Sequence, residues 1–221
     1  MLVSILIYGN NGRVVHLKKK NLSTYDICDL QEHFKKTFHD SPDLFFYEMR
    51  RNDSSILFIY LKNLVDLAVL NQTILPAIID KTKDSPVDFQ ELIYQLPTTL
   101  ANLSDDMEEI TNKLLEGNVF LFTNKAEKGL LINLVKKVER GLEKAETESL
   151  VFGPKISFTE SLSTNISIIR QNIISEDLCT EKMSVGKKNA TEIRIVYLKG
   201  MADEEIVQLI RDRKSTRLNS S

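Results

Sequence analysis

The sequence predicts an α/β (α+β) protein made of two tandem, similar subdomains, each a small sheet of strand hairpins flanked by helices. The main observation is an internal repeat: SPDLFFYEMRRNDSSILFIYLKNLVD at 41–66 returns in altered form at 175–203 as SEDLCTEKMSVGKKNATEIRIVYLKGMAD. Segments with helical apolar spacing also alternate with short β-branched runs. A chain of 221 residues with 42% hydrophobic and 27% charged residues is long enough for two globular cores.

Charge and cysteine content exclude several classes of protein. The net charge of −2 gives no field that would attract nucleic acid, so we expect no nucleic-acid partner. The two cysteines, Cys28 and Cys179, do not occupy matching positions in the repeat, which disfavours a disulfide framework or a zinc site and favours a reducing compartment. The apolar start is too short for a signal peptide, and no stretch approaches the roughly 18 apolar residues of a membrane span. We therefore expect a soluble chain.

The first predicted subdomain covers residues 1–80. Its elements in order are a hairpin over 2–17, a helix over Thr24–His39, strands over Leu44–Met49 and Ile56–Leu61, and a helix that follows Asp66. Ser23 and Asp26 have the spacing of a capping box, which indicates where the first helix begins. Pro76 has no backbone N–H, so we expect it to kink or end the last helix.

Residues 81–88 lack apolar periodicity and contain a proline, which predicts a linker before a second subdomain over 89–213. The elements of this subdomain are helices over Phe89–Gln95 and from Ser104, strands over Val119–Phe122 and Leu130–Val135, a charged loop over 136–148, a helix with Phe158, Leu162, Ile166, Ile169 and Ile173 on one face, strands over Leu178–Val185 and Glu192–Leu198, and a helix that follows Asp203. Ser157 and Glu160 form a second possible capping box. Residues 214–221 lose all periodicity and are predicted to be a disordered or vector-derived tail.

No catalytic, metal-binding or cofactor-binding motif stands out. The three histidines lack the spacing of a zinc hydrolase, and no phosphate-binding glycine loop occurs. Asp66 and Asp203 occupy equivalent places in the repeat, which favours two helix caps over catalytic acids. Tyr60 and Tyr197 end matching strands, so we expect them to pack in a core or between the subdomains. The sequence therefore predicts no catalytic residue, no metal and no cofactor.

Several motifs together carry a family resemblance. They are Gly153-Pro154-Lys155, then Phe158, Glu160, Leu162, Thr164 and Asn165 at a helix start, Val185-Gly186-Lys187 at a hairpin, and Tyr197, Leu198, Gly200, Ala202 and Asp203 at its end. This set resembles the A-subunit family of bacterial spore germination receptors, the GerA family. The resemblance covers roughly residues 24–213. Asn63 stands where the second copy has Gly200, and we expect it to tolerate a left-handed turn there.

The resemblance implies the soluble N-terminal domain of a nutrient-receptor A subunit that acts in signal transduction and receptor assembly during spore germination. It also implies B and C subunits as partners, self-association through the A subunit, and membrane attachment through downstream segments. The receptor would lie in the spore inner membrane, with this domain on the cytoplasmic, spore-core side. The residues expected at the subdomain interface or in family motifs are Gly153, Pro154, Phe158, Glu160, Asn165, Tyr60, Tyr197, Gly200, Asp66 and Asp203.

Two other functions remain open from the sequence. The leading hypothesis transmits a signal by a relative shift of the two subdomains about a linker at 80–88. The first alternative is a module that binds a small-molecule nutrient in a crevice between the subdomains. A more distant alternative is an enzyme that uses Cys179 or Asp203.

Overall fold

The structure is a computed structural model that describes residues 22–51, 54–82, 87–97, 100–124, 126–136, 158–185 and 191–217. The predicted hairpin over 2–17, most of the charged loop over 136–148, and the motif residues Gly153 and Pro154 lie outside these residues. We call residues 22–136 the first unit and residues 158–217 the second unit.

Both units contain helices and strands. The helices are α1 (Ile27–Thr37), α2 (Leu67–Val69), α3 (Leu75–Lys81), α4 (Phe89–Gln95), α5 (Met107–Leu115), α6 (Leu162–Asn172) and α7 (Glu204–Arg217). The strands are β1 (Leu44–Arg51), β2 (Ser54–Leu61), β3 (Ala101–Ser104), β4 (Asn118–Thr123), β5 (Gly129–Asn133), β6 (Leu178–Val185) and β7 (Thr191–Leu198). The mixture of helices and antiparallel sheets confirms the predicted fold class.

The described residues of the first unit form one antiparallel sheet with the strand order β1-β2-β4-β5-β3. Strand β2 precedes the predicted linker at 81–88 and β4 follows it, yet the two strands pair from Ile56 opposite Thr123 to Ile59 opposite Phe120. The predicted boundary therefore cuts through one sheet and does not separate two subdomains. The physical reason is that β2 is apolar on both faces, so a second neighbouring strand and two layers of helix are needed to bury it.

Helices cover both faces of this sheet. On one face, α1 and α5 contribute Leu30, Phe34 and Leu114 to a cluster that also contains Leu57 and Phe120. On the other face, residues of α3, α4 and the preceding helical turn pack against the alternate side chains of β2 and β4. The period-two alternation of strand side chains thus supplies two separate cores from the same strands.

The second unit repeats the start of the first. Its hairpin pairs Leu178 with Leu198, as the first hairpin pairs Leu44 with Leu61. The backbone bond that closes the hairpin base is also repeated: Lys62 N donates to Asp43 O and Lys199 N donates to Asp177 O, both at 2.9 Å. The predicted repeat of the two hairpins is therefore confirmed by their register.

Several predicted helix starts are displaced. Asp26 caps α1 by accepting a hydrogen bond from Asp29 N at 2.7 Å, whereas the predicted start at Thr24 lies in a preceding 3-10 turn. Ser161 caps α6 by accepting from Thr164 N at 3.3 Å, so the helix begins after the predicted capping box that ends at Glu160. Both differences have the same cause. A helix begins after the residue whose side chain accepts a hydrogen bond from the backbone N–H three positions later.

The helix after Asp66 also differs from the prediction. It widens into a π-helical turn over Leu70–Ile74 and continues as α3 to Lys81, with Pro76 in the first turn of α3. Proline has no backbone N–H to donate within a helix. The wider turn before Pro76 changes the hydrogen-bond pattern at this point, so the helix continues without that donor. Helix α7 likewise runs to Arg217, four residues into the region predicted as a tail from Lys214.

Candidate functional site

The two units meet at a buried ion pair between Asp43, which precedes β1, and Arg170 on α6. Both side chains are 1% exposed, and Nε and Nη2 of Arg170 each lie 3.2 Å from Oδ2 of Asp43. Nη2 also donates to the hydroxyl of Ser41 at 2.9 Å and to the backbone carbonyl of Leu178 at 3.3 Å. One guanidinium group therefore joins the start of both hairpins.

The carboxylate of Asp43 has further donors around it. The hydroxyl of Thr180 on β6 donates to Oδ2 at 2.8 Å, and the side-chain amide of Asn63 donates to Oδ1 at 3.0 Å. We call Ser41, Asp43, Asn63, Arg170 and Thr180 the Asp43 cluster. All five are buried. A buried charge is costly unless it is paired and hydrogen-bonded, and this cluster meets both conditions for the carboxylate.

The guanidinium of Arg170 is less completely satisfied. Its third nitrogen, Nη1, is buried and has no hydrogen-bond partner among the described residues. Burial lowers the pKa of Arg170, and the nearby charge of Asp43 opposes that shift. Since arginine is not deprotonated in proteins, the guanidinium keeps its charge.

Asn63 attaches α6 to the first unit. Its side-chain oxygen accepts from the hydroxyl of Ser163 at 3.1 Å, and its backbone carbonyl accepts from the hydroxyl of Ser167 at 2.6 Å. The sequence predicted a left-handed conformation for Asn63, and this was wrong: the non-glycine residues with positive φ in the described chain are His39 and Asp40. Asn63 stands in place of Gly200 because its side chain spans the unit interface.

A second, more exposed contact lies beside the Asp43 cluster. His39, with φ +52°, places Nε2 3.0 Å from Oδ1 of Asp177 and Nδ1 3.2 Å from Nζ of Lys199. Because an ammonium group can only donate, Nδ1 accepts the hydrogen bond and Nε2 carries the proton that Asp177 accepts. Asp177 is the equivalent of Asp43, so each unit uses the aspartate at its hairpin base to contact the other.

Helix α7 is held to the second hairpin by a cluster of Glu181, Tyr197 and Arg211. The hydroxyl of Tyr197 donates to Oε1 of Glu181 at 2.7 Å, and Nε of Arg211 donates to Oε2 at 2.8 Å. The hydrogen bond from Arg211 lowers the pKa of Glu181. Burial, with the hydrogen bond to Glu181, raises the pKa of Tyr197 to about 12. These groups therefore favour a carboxylate and a neutral phenol across the neutral pH range.

A groove of about 920 Å³ lies between the end of α1 and α7. Its lining residues come from both units and include Lys36, His39, Cys179, Tyr197, Lys199 and Arg211. Burial raises the pKa of the Cys179 thiol, which is the opposite of what a nucleophile needs. No group of three or more His, Cys, Asp or Glu side chains in the described ranges is placed to hold a metal ion.

The structure places the predicted cap and tyrosine residues as follows. The carboxylate of Asp66 accepts from Ala68 N and Val69 N at 3.0 and 3.1 Å, and that of Asp203 accepts from Glu205 N at 2.8 Å, as expected of helix caps. Tyr60 is 8% exposed and packs in the core of the first unit. Tyr197 lies in the α7 cluster and lines the groove.

Four of the residues expected at the subdomain interface or in family motifs lie outside the buried contact between the units. Phe158 is 66% exposed, and Asn165 is bound locally to Thr159 through its side-chain amide. Glu160 is exposed, and Gly200 has φ +79° with open space around it. Of the predicted apolar face of α6, only Ile166 is fully buried.

Sequence reasoning missed the Asp43 cluster. Ile166, Ser167 and Arg170 form the buried face of α6, and Arg170 lies four residues after Ile166. A charged residue on the apolar stripe of a helix was the available signal, since such residues are rarely buried without a partner. The partner itself, Asp43, lies 127 positions earlier and no local pattern links the two.

None of the helices in the described part of the chain has the length and apolarity that crossing a bilayer requires. The fold is similar to the crystal structure of the N-terminal domain of the A subunit of the Bacillus megaterium spore germinant receptor GerK3. The TM-score is 0.66 with 22% sequence identity, over 86% of this chain and 71% of that chain.

Sequence comparison gives relatives of greater length. Spore germination protein GerQA of Bacillus cereus is 29% identical over 87% of this chain and 38% of its own length. Spore germination protein KA of Bacillus subtilis is 26% identical over 81% of this chain and 34% of its own length. The chain thus spans well under half of these relatives. The family model for the Bacillus/Clostridium GerA spore germination protein matches residues 32–216. The chain therefore belongs to the GerA family of spore germination proteins.

Proposed function

We propose that this chain is the soluble N-terminal domain of a germinant-receptor A subunit, and that it acts in signal transduction and receptor assembly during spore germination. The family match over residues 32–216 supports this role. The observation that carries the mechanism is the buried Asp43–Arg170 pair, because it joins two units that are otherwise built as separate sheets.

A signal would pass between the units as a change in how α6 sits on the first unit. The contact contains several buried side-chain hydrogen bonds, and hydrogen-bonded, packed interfaces change between discrete arrangements and do not deform continuously. Movement would occur at the Asp43 cluster and not about residues 80–88, because β2 before that segment and β4 after it pair in one sheet.

The proposal extends to partners and place. The domain would act without catalysis, together with B and C subunits, and would self-associate through the A subunit. The receptor would lie in the spore inner membrane with this domain on the spore-core side. Helix α7 exposes Ile206, Leu209 and Ile210 at 57%, 53% and 48%, an apolar surface suited to contact with the rest of such a receptor.

A reversible cross-link between the units tests this mechanism. Oγ of Ser41 and Oγ1 of Thr180 are 3.0 Å apart, so a Ser41→Cys, Thr180→Cys pair is close enough to form a disulfide after a small adjustment. Cys28→Ser and Cys179→Ala remove competing thiols. In spores whose only receptor carries these changes, we expect the oxidised form to respond slowly to nutrient and the reduced form to recover. The Ser41→Cys variant alone is the control. Equal responses of the oxidised and reduced pair would exclude signalling by unit movement.

The groove supports one second function, the binding of a small polar nutrient between the units. It has basic groups from both units, Lys36 and Lys199, and acidic groups at the start of α7. A ligand that binds only the folded chain raises its melting temperature by mass action. A thermal-shift screen of amino acids, sugars and nucleosides, repeated on Lys199→Met, distinguishes the two functions. A shift that Lys199→Met abolishes would favour binding, and no shift for any compound would exclude it.

A further inference from the structure

Two arginines of the second unit face the carboxylate of Asp43, one at each oxygen. Nε and Nη2 of Arg170 on α6 lie 3.2 Å from Oδ2, and Nη1 of Arg194 on β7 lies 3.8 Å from Oδ1. The side chains of Arg170 and Arg194 are 1% and 14% exposed. One buried carboxylate therefore faces two largely buried guanidinium groups, which leaves an excess of one positive charge.

Glu192 does not remove this excess. Its Oε1 accepts from Nε of Arg194 at 3.2 Å and lies 3.0 Å from Nη2 of the same residue. The glutamate is 41% exposed, however, and its other oxygen pairs with Nζ of Lys182 at 2.7 Å. Together these five side chains carry two negative and three positive charges. A buried charge without a full complement of partners is costly, so the excess requires an explanation.

Each of the two arginines also has a buried nitrogen without an acceptor. Within the described ranges, the buried side-chain nitrogen and oxygen atoms that lack a hydrogen-bond partner are Nη1 of Arg170 and Nη1 of Arg194. Asp43 cannot serve both, because a carboxylate offers about four acceptor positions. Two hydrogen bonds from Arg170 and one each from Thr180 and Asn63 fill them. A buried polar group without a protein partner indicates a bound water or ion.

We propose that a small monovalent anion binds beside the Asp43 cluster, where Nη1 of Arg170 and Nη1 of Arg194 donate to it. An anion accepts hydrogen bonds without donating any, and its charge balances the excess positive charge. A water molecule would need acceptors for its own two hydrogens, and Asp43 has no acceptor position left for them. Burial of both nitrogens favours a monatomic ion, so chloride is the probe. The inference does not rest on the proposed signalling function.

A chloride titration of thermal stability tests the site. The melting temperature of the 221-residue chain is measured in up to about 200 mM sodium chloride, with sodium gluconate added to keep the ionic strength and its screening constant. We expect a saturable rise of about 3 °C or more, because an ion that binds only the folded chain stabilises it by mass action. A melting temperature that does not depend on chloride would overturn the proposal.

Two arginine variants separate this site from general effects of salt. Arg194→Met removes one of the two donors and should abolish the rise, while Asp43 keeps its hydrogen bonds to Arg170. Arg50→Met is the matched control. Arg50 also donates through Nε to a glutamate two residues earlier on its strand, Glu48, but its side chain is 80% exposed. This control should keep the full chloride response. A wild-type response in Arg194→Met, or loss of the response in Arg50→Met, would contradict the assignment.

Anomalous scattering locates the ion without any substitution. Bromide has the charge of chloride and a similar radius, and its anomalous signal distinguishes it from water. In crystals of the wild-type chain soaked in sodium bromide, we expect a peak within hydrogen-bonding reach of Nη1 of both Arg170 and Arg194. Peaks confined to exposed side chains would show an adventitious ion only, and the proposal would then be wrong.

Discussion

Replacing Arg170 by methionine isolates the energy of the contact between the units. The change removes Nε and Nη2, the two nitrogens within 3.2 Å of Oδ2 of Asp43, and leaves that carboxylate 1% exposed. Loss of one partner from a buried ion pair costs about 3–5 kcal/mol. We expect the lower part of this range here, because Nη1 of Arg194 lies 3.8 Å from Oδ1 of Asp43 and still faces the remaining carboxylate. For a chain of this length that loss corresponds to roughly 6–20 °C in melting temperature.

The double variant Asp43→Asn, Arg170→Met should recover most of this loss. The neutral amide still offers an oxygen to Thr180, and the buried Nη1 of Arg170 that lacks a partner is removed as well. Replacement of a whole buried pair is often neutral or stabilising. The assay is urea denaturation of the wild type, both single variants and the double variant. Their free energies of unfolding are compared with one common dependence on urea concentration.

A surface ion pair provides the reference for this experiment. Nζ of Lys113 lies 2.7 Å from Oε2 of Glu116, with side chains 37% and 46% exposed. Glu116→Gln should cost less than about 1 kcal/mol, because water screens an exposed pair. The reasoning fails if Arg170→Met costs no more than Glu116→Gln, or if the Asp43 and Arg170 substitutions are simply additive in the double variant.

Three further predictions concern single sites. Gly117→Ala should destabilise the fold more than Gly200→Ala. Both glycines have positive φ, a conformation that costs other residues about 1–2 kcal/mol, but only at Gly117 would the new Cβ lie within 3 Å of a backbone oxygen. Equal losses of unfolding free energy in urea denaturation would contradict this. Asp66→Ala and Asp203→Ala should each lose about 1 kcal/mol as lost caps, and an unchanged midpoint for either would show that its carboxylate does not cap. Tyr197 should ionise near pH 12, as its pKa is raised to about 12.

The last prediction has a definite sign. A phenol whose pKa is raised on folding contributes stability that is complete below its unfolded pKa of about 10 and is lost as the pH rises towards 12. The phenolate absorbance of the wild type minus that of Tyr197→Phe isolates this group. A difference step near pH 10 would contradict the hydrogen bond from Tyr197 to Glu181.

Local patterns were sufficient to predict the β1–β2, β4–β5 and β6–β7 hairpins and the caps at Asp66 and Asp203. Strand alternation, turn residues and a side-chain acceptor before a helix all act within a few positions, so the sequence displays their causes directly. The repeat was predictable for the same reason, since similar residues at matching spacing favour similar local structure. The fold class and the family resemblance followed from these features.

Contacts between distant residues required the tertiary structure. The segment 81–88 has the composition of a linker, yet β2 before it and β4 after it pair in one sheet. Asp43 and Arg170 lie 127 positions apart, and the sequence around either residue does not indicate that the other is its partner. The sequence alone determined most of the helices and hairpins, because each depends on its neighbours in the chain, but it did not predict β3 (Ala101–Ser104), which forms by pairing with β5. Only the tertiary structure decided which elements share a sheet and where a buried charge finds its partner, because those energies depend on neighbours in space.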